Sequence, residues 1–152
     1  MGKQPFWASF RYAAQGIWTA LREERNMRFH LCAAFYVYLF SMFYDFSKTQ
    51  YCLLTVMVCG VLALELVNSS LERTVERPVP DRYRTAGVVK DMAAGAVLVF
   101  SIGCAVGGVL LFWDTAAFGR MWDFFTRHWW ALAALAASLA AAGAFVAGQK
   151  GE

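Results

Sequence analysis

Apolar residues fill four long stretches of the chain, and most polar or charged residues fall between them. The stretches cover about residues 29–46, 50–70, 88–112 and 128–148. A transmembrane helix needs about 20 predominantly apolar residues, and inside lipid a helix satisfies its own backbone hydrogen-bonding groups. None of the stretches alternates between polar and apolar positions as barrel strands do. We therefore predict an all-α integral membrane protein with four transmembrane helices.

A shorter pattern precedes the first apolar stretch. Over residues 5–25, apolar side chains such as Phe6, Phe10 and Ile17 recur at helical spacing, while Arg11 and Gln15 fall on the opposite face. This pattern predicts an amphipathic helix that lies in the membrane interface. Such a helix either anchors the chain or borders a site where a lipid enters from the membrane plane, and the local sequence leaves both open.

The composition agrees with a membrane protein, because 59% of the 152 residues are hydrophobic and only 16% are charged. By the positive-inside rule, the distribution of basic residues places the N-terminus, the connection between the second and third stretches and the C-terminus in the cytoplasm. The basic residues before the first stretch and in that connection are Lys3, Arg11, Arg22, Arg25, Arg28, Arg73, Arg77, Arg82, Arg84 and Lys90. The net charge of +3 includes no basic run, so nucleic acid is not an expected partner.

Polar residues of one helix face stand out in the second stretch. Glu65, Asn68 and Glu72 are spaced i, i+3 and i+7, so their side chains project from the same face of a helix. An ionised side chain near the centre of a bilayer costs about 2.5 to 3.5 kcal/mol, and such residues usually face a protein interior or a bound ion. This face is therefore the expected functional site, although carboxylates bonded to neighbouring helices would also explain it.

Further charged residues fall near the predicted cytoplasmic ends of the helices. Glu24 precedes the first transmembrane helix, and Lys90 and Asp91 begin the third. If the first three helices are neighbours, these groups converge at one depth with the acidic face of the second. Carboxylate and amide oxygens suit Mg²⁺, which takes a few carboxylates together with substrate phosphates, and a lysine can neutralise phosphate charge. These groups favour phosphoryl transfer, although the sequence has no glycine-rich nucleotide-binding loop.

Four stretches, taken in order, resemble the bacterial membrane lipid kinases of the diacylglycerol kinase and undecaprenol kinase family. They are Phe10–Ile17, Glu24–His30, Glu65–Glu72 and Lys90–Val97. The resemblance covers about residues 6–112 and implies a homotrimer in the bacterial plasma membrane, built from three-helix subunits with an interfacial N-terminal helix. It also implies an enzyme that uses ATP and Mg²⁺ to phosphorylate a lipid alcohol at the cytoplasmic surface.

The same resemblance implies roles for individual residues. Glu65 would be the catalytic base and contact the lipid, while Glu24 and Glu72 would be Mg²⁺ ligands. Arg28 would lie near the lipid substrate. Nucleotide or phosphate binding would involve Gln15, Asn68, Glu76, Lys90 and Asp91, where Glu76 replaces the aspartate usual in the family.

The resemblance leaves the substrate and one segment open. Residues 26–30 and 90–96 are more similar to undecaprenol kinases, so undecaprenol is the expected substrate and diacylglycerol the alternative. A non-catalytic ion-binding or structural membrane subunit is the alternative of another class. We expect residues 1–112 to form the kinase domain and residues 113–152 to form an extension whose helix the basic family pattern lacks. The sequence does not show where that extra helix packs.

Overall fold

The computed structural model describes residues 6–75 and 83–148, and these residues form six α-helices without a strand. The all-α prediction is thus confirmed over both ranges. The helices are α1 (Phe6–Glu23), α2 (Arg25–Ser41), α3 (Lys48–Val75), α4 (Tyr83–Phe112), α5 (Thr115–Arg127) and α6 (Trp129–Ala147).

Three helices in the described ranges have the length and hydropathy of transmembrane helices: α3, the part of α4 from Ala86 to Phe112, and α6. The first predicted span, 29–46, differs from the structure, because α2 begins at Arg25 and ends at Ser41. With 17 residues and a rise of about 1.5 Å per residue, α2 is about 26 Å long, slightly less than the hydrocarbon core.

The sequence around residue 47 explains where α3 begins. The Ser47 hydroxyl accepts a hydrogen bond from the backbone N–H of Gln50, and the Gln50 side-chain oxygen accepts one from the backbone N–H of Ser47 at 2.9 Å. This reciprocal pair is a capping box. It starts α3 at Lys48, so the preceding residues form the turn between the two helices.

Helix α5 was not predicted from the sequence. It is an amphipathic helix of 13 residues and fills the connection between the third and fourth predicted spans. The Asp114 carboxylate caps it by accepting a hydrogen bond from the backbone N–H of Ala116 at 2.9 Å. At this end of the protein, Arg120 pairs with Asp45 and Asp114, so α5 closes one end of the helix bundle.

Helices α3 and α4 pack closely where one of them carries a glycine. A Cβ atom at Gly60 would collide with the ring of Phe100, and a Cβ atom at Gly107 would lie 2.9 Å from the Met57 methyl group. At Gly103, by contrast, a Cβ atom would have no neighbour within 4 Å. The close approach therefore depends on Gly60 and Gly107, and only one glycine of the Gly103-x-x-x-Gly107 pattern contributes to it.

This difference predicts the effects of two matched substitutions on thermal stability. Alanine favours a helix over glycine by about 1 kcal/mol, so Gly103→Ala is expected to raise the Tm. Gly60→Ala gains the same helix propensity, but overpacking against Phe100 costs about 1 to 3 kcal/mol. The Tm of Gly60→Ala is therefore expected to fall below that of Gly103→Ala. Thermal unfolding of both variants in one detergent tests this, and equal Tm values would contradict the packing described.

The extra helix α6 packs against α2, and side-chain hydrogen bonds join the two at two levels. Halfway along, the Tyr36 hydroxyl lies 3.1 Å from that of Ser138 and donates a hydrogen bond to it. At the far end, the backbone carbonyl of Gly148 reaches the side chain of Arg28 near the start of α2. The C-terminal end of α6 therefore lies at the same end of the bundle as the α1–α2 junction.

The buried residues are unusually polar for a folded chain. The buried polar residues in the described ranges include Arg28, Glu65 and Asn68, whereas large apolar side chains such as Leu98 and Leu110 are exposed. Exposed apolar surface of this extent fits contact with lipid, in which a polar group must find its partners inside the protein. The interior of the bundle is therefore where functional chemistry is expected.

Candidate active site

Helices α1 and α2 meet at a bend of one residue, Glu24. Its backbone is extended, with φ −100° and ψ 119°, and its side chain makes no capping hydrogen bond to α2. The carboxylate is instead paired across the bundle, since Nη2 of Arg73 lies 3.0 Å from its Oε1 atom. The prediction that Glu24 stands at the start of a helix is confirmed, and its side chain faces α3.

Arg73 joins the bend to α3 by binding two adjacent carboxylates. Its Nη1 atom lies 2.8 Å from Oε2 of Glu23, and its Nη2 atom binds Glu24. In the sequence, Arg73 was recognised only as one of the basic residues that indicate membrane topology. Its position one residue after Glu72 was the available signal, but its partners Glu24 and Glu23 lie 49 and 50 residues away in the sequence.

Glu65 is the most enclosed acidic residue of the described chain, with 2% of its surface exposed. The side-chain amide of Asn26, in the first turn of α2, faces this carboxylate and favours its charged form. The carboxylates of Glu24 and Glu72 lie close enough to repel it. Three predicted acidic residues from the bend and from α3 therefore converge, and Asn26 is a contact that sequence reasoning missed.

Asn68 lies one turn beyond Glu65 and is also buried. Its side-chain oxygen Oδ1 has no hydrogen-bond partner among the described residues. An unsatisfied buried acceptor costs about 1 to 3 kcal/mol, so such an atom is expected to have a partner in the working protein. A hydroxyl group, an ammonium group or a metal ion would satisfy it.

Lys90 connects the site to α4. Its Nζ atom lies 3.6 Å from Oε1 of Glu72, which confirms that the start of α4 lies beside the end of α3. Asp91 and Gln15 are both exposed, and no contact described here joins them to the acidic cluster. Glu76 lies outside the described residues.

The carboxylate and amide oxygen atoms of this cluster are of the ligand type that Mg²⁺ prefers. Within residues 6–75 and 83–148, no three His, Cys, Asp or Glu side chains are arranged as a complete metal site. Mg²⁺ usually binds through one or two carboxylates together with water and substrate phosphates, so a complete protein cage is not required. Glu24 and Glu72 each pair with a basic side chain through Oε1 and each have a second carboxylate oxygen. The unsatisfied oxygen of Asn68 lies on the same face of α3 as Glu72.

Arg28, expected near the lipid, has a different environment in the structure. Its side chain is buried, and its Nη1 and Nη2 atoms donate hydrogen bonds to backbone carbonyls of α1 and of the C-terminal end of α6. These bonds occupy Nη1 and Nη2, while Nε is buried without a hydrogen-bond partner among the described residues. The contact with lipid remains a prediction, while the geometry favours a role in holding helices together.

The fold and the site define a helical membrane protein with a buried carboxylate, an unsatisfied amide oxygen and two basic side chains at one end of the bundle. Residues 11–112 match the family model described as prokaryotic diacylglycerol kinase, and the chain belongs to that family. It is therefore a membrane lipid kinase, a phosphotransferase that acts on a lipid alcohol. The resemblance found in the sequence is confirmed.

Three curated relatives are similar over most of the matched region. Undecaprenol kinase of Bacillus subtilis is 36% identical over 107 residues, covering 70% of this chain and 87% of that protein. Diacylglycerol kinase of Synechocystis is 37% identical over 105 residues, covering 68% and 60%. Diacylglycerol kinase of Haemophilus influenzae is 30% identical over 106 residues, covering 68% and 90%. No solved structure gives a significant match.

Proposed function

We propose that this lipid kinase transfers the γ-phosphoryl group of ATP to undecaprenol in an Mg²⁺-dependent reaction at the cytoplasmic surface. The observation that carries the proposal is the enclosed Glu65 carboxylate, which faces Asn26 and lies one helical turn from the unsatisfied oxygen of Asn68. A buried carboxylate positioned beside other polar groups suits a general base. Relatives of both names have similar identity to this chain, so diacylglycerol is the second candidate substrate.

The proposed step begins with the hydroxyl group of the lipid. Glu65 takes the hydroxyl proton as the lipid oxygen attacks the γ-phosphorus, and the bond from that phosphorus to the β–γ bridging oxygen breaks. The products are a lipid phosphate, ADP and a protonated Glu65, which returns its proton to solvent. Positioning and charge stabilisation supply most of the catalysis in such reactions, so the enclosure of Glu65 matters as much as its basicity.

The neighbouring residues have supporting roles in this proposal. Glu24 and Glu72 would hold Mg²⁺, which when bound neutralises phosphate charge. Lys90, which lies beside Glu72, would contact a phosphate oxygen. The free oxygen of Asn68 accepts rather than donates, so it would bind the phosphate-associated Mg²⁺ and not the phosphate itself. Asp91, Gln15 and Glu76 remain proposed nucleotide contacts on the strength of the family resemblance.

The orientation and the assembly are part of the same proposal. Arg22, Arg25, Arg73 and Lys90 belong to the end of the bundle that holds the site, which supports a cytoplasmic position. The family resemblance supports a homotrimer. The exposed apolar surface of α4 offers an area that lipid or a second subunit would cover.

Transfer of labelled γ-phosphate to undecaprenol and to diacylglycerol, in parallel mixed micelles, tests the proposal. We expect the faster transfer to undecaprenol, abolished by a chelator and restored by added Mg²⁺, with undecaprenyl phosphate as the unreactive control acceptor. The protein from the same preparation, reconstituted intact into nanodiscs, should have a protein mass equal to that of three subunits. Faster transfer to diacylglycerol would establish the second candidate, and no transfer by folded protein to either lipid would overturn the proposal.

A further inference from the structure

Arg28 holds together two helix ends that are far apart in the sequence. Its Nη1 atom donates hydrogen bonds to the carbonyls of Leu21 at 3.3 Å and Arg22 at 2.9 Å, in the last turn of α1. Its Nη2 atom donates to the carbonyls of Val146 at 3.5 Å and Gly148 at 3.0 Å, at the end of α6. The side chain is 6% exposed, so these bonds are largely shielded from water.

The charge of Arg28 suits this position. The carbonyls at the C-terminal end of a helix lack intrahelical partners and carry partial negative charge. Two such ends, those of α1 and α6, meet at one guanidinium group. A planar guanidinium has five donors in fixed directions, whereas a lysine has three on one flexible ammonium group. Arginine is therefore the side chain that can bind both helix ends at once.

The helix ends that Arg28 joins border the bend at Glu24. The backbone N–H of Arg28 donates to the carbonyl of Glu24 at 3.3 Å, so the two residues belong to the same first turn of α2. A polar cavity of about 360 Å³ lies between the bend and α6, and its lining includes Glu24, Asn26, Arg28 and Gly148. The end of α6 thus forms one wall of a cavity that also contains the proposed metal ligand.

We propose that Arg28 is a positioning residue through which the C-terminal helix α6 fixes the bend and aims Glu24 into the active site. The inference rests on the proposed function, in which Glu24 holds Mg²⁺. It gives the extra helix a role in the reaction, although α6 lies beyond the residues that match the family model. The carboxylate of Glu24 is oriented from one side by Arg73 and from the other by the Arg28 link to α6.

A shift in the register of α6 tests the inference without changing Arg28. One alanine inserted between Ala142 and Gly143 rotates the last turn by about 100° and moves it by about 1.5 Å, which displaces the carbonyls of Val146 and Gly148. The matched control is one alanine inserted between Gln149 and Lys150, beyond those carbonyls. Both variants keep every native side chain.

We expect the first insertion to raise the half-saturating Mg²⁺ concentration by about tenfold, while the KM for lipid stays unchanged. A misplacement of a catalytic group by about 1 Å can lower the rate a hundredfold. A carboxylate ligand that is misdirected but still present should lower metal affinity by a smaller factor. Binding of Mn²⁺ measured by electron paramagnetic resonance should weaken in parallel. Hydrogen exchange of residues 20–28 should accelerate, and the control insertion should match wild type in every measurement.

Arg28→Gln and Arg28→Lys provide a second test if the insertion prevents folding. The half-saturating Mg²⁺ concentration should increase from wild type to Arg28→Lys to Arg28→Gln, because lysine restores the charge but only part of the bonding. Unchanged Mg²⁺ dependence in folded variants would overturn the inference, as would equal effects of both insertions. If wild type transfers phosphate to neither lipid, the proposed function fails. Mn²⁺ binding and hydrogen exchange then test the coupling between α6 and the bend independently of turnover.

Discussion

Replacing Glu65 by glutamine is expected to lower kcat by about 10² to 10⁴-fold, the usual contribution of a general base. Glutamine keeps the size of the side chain and one oxygen that can accept a hydrogen bond, but it cannot take the hydroxyl proton. Because the base acts mainly in the transition state, the KM values for lipid and ATP should change little. Steady-state kinetics with both substrates measure this difference.

Ser70→Ala is a suitable control for Glu65→Gln. Ser70 lies on the same helix and is exposed, and within the described part of the chain its hydroxyl donates to the backbone carbonyl of Val67 alone. Its replacement should leave kcat unchanged. Near-normal turnover of Glu65→Gln, in protein whose Tm matches that of wild type, would remove Glu65 from the proposed reaction.

Glu24→Gln and Glu23→Gln should differ greatly in effect, although both carboxylates bind Arg73. Changes in the residues that support a metal ligand already cost about 10 to 100-fold in metal affinity or activity, so loss of a ligand should raise the half-saturating Mg²⁺ concentration at least that much. The Glu23 side chain is 57% exposed. Exposed ion pairs contribute about 0 to 1 kcal/mol, so Glu23→Gln should change the same quantity by less than about fivefold.

This pair of variants separates metal binding from the pairing with Arg73. Titration of activity with Mg²⁺ and binding of Mn²⁺ provide two independent measurements of each variant. If both substitutions weaken metal binding equally, the two carboxylates serve only to fix Arg73, and Glu24 is not a ligand. If neither does so, the metal must bind through other residues.

The acidic face of α3 could be predicted because helical periodicity is local. The spacing of Glu65, Asn68 and Glu72 places them on one side of any helix, whatever packs beside it. Residue spacing cannot reveal which partner each side chain meets across the bundle. The expectation that Lys90 converges with the acidic face came from an assumed packing of the helices and did not specify Glu72 as its partner. The pairing of Arg73 with Glu24 depends on the direction of the bend.

Two features had little or no signal in the sequence. Helix α5 is short and amphipathic, and only the capping residue Asp114 and the helical spacing of Ala117, Met121 and Phe124 could have indicated it. The partners of Arg28 on α6 are backbone carbonyls, which every residue carries. A side chain that binds backbone groups 118 and 120 residues away leaves no pattern of residue types to read, so this contact required the structure.

The polar interior described above has a consequence for how such a sequence can diverge. Positions that face lipid, such as Leu98 and Leu110, need only remain apolar, and leucine, isoleucine, valine and phenylalanine satisfy that need about equally. Buried polar positions such as Glu65 and Asn68 have no comparable substitutes, because each must present a particular atom in a particular direction. Most lipid-facing positions can therefore exchange one apolar residue for another, whereas a few buried polar side chains must be kept for the enzyme to retain its activity.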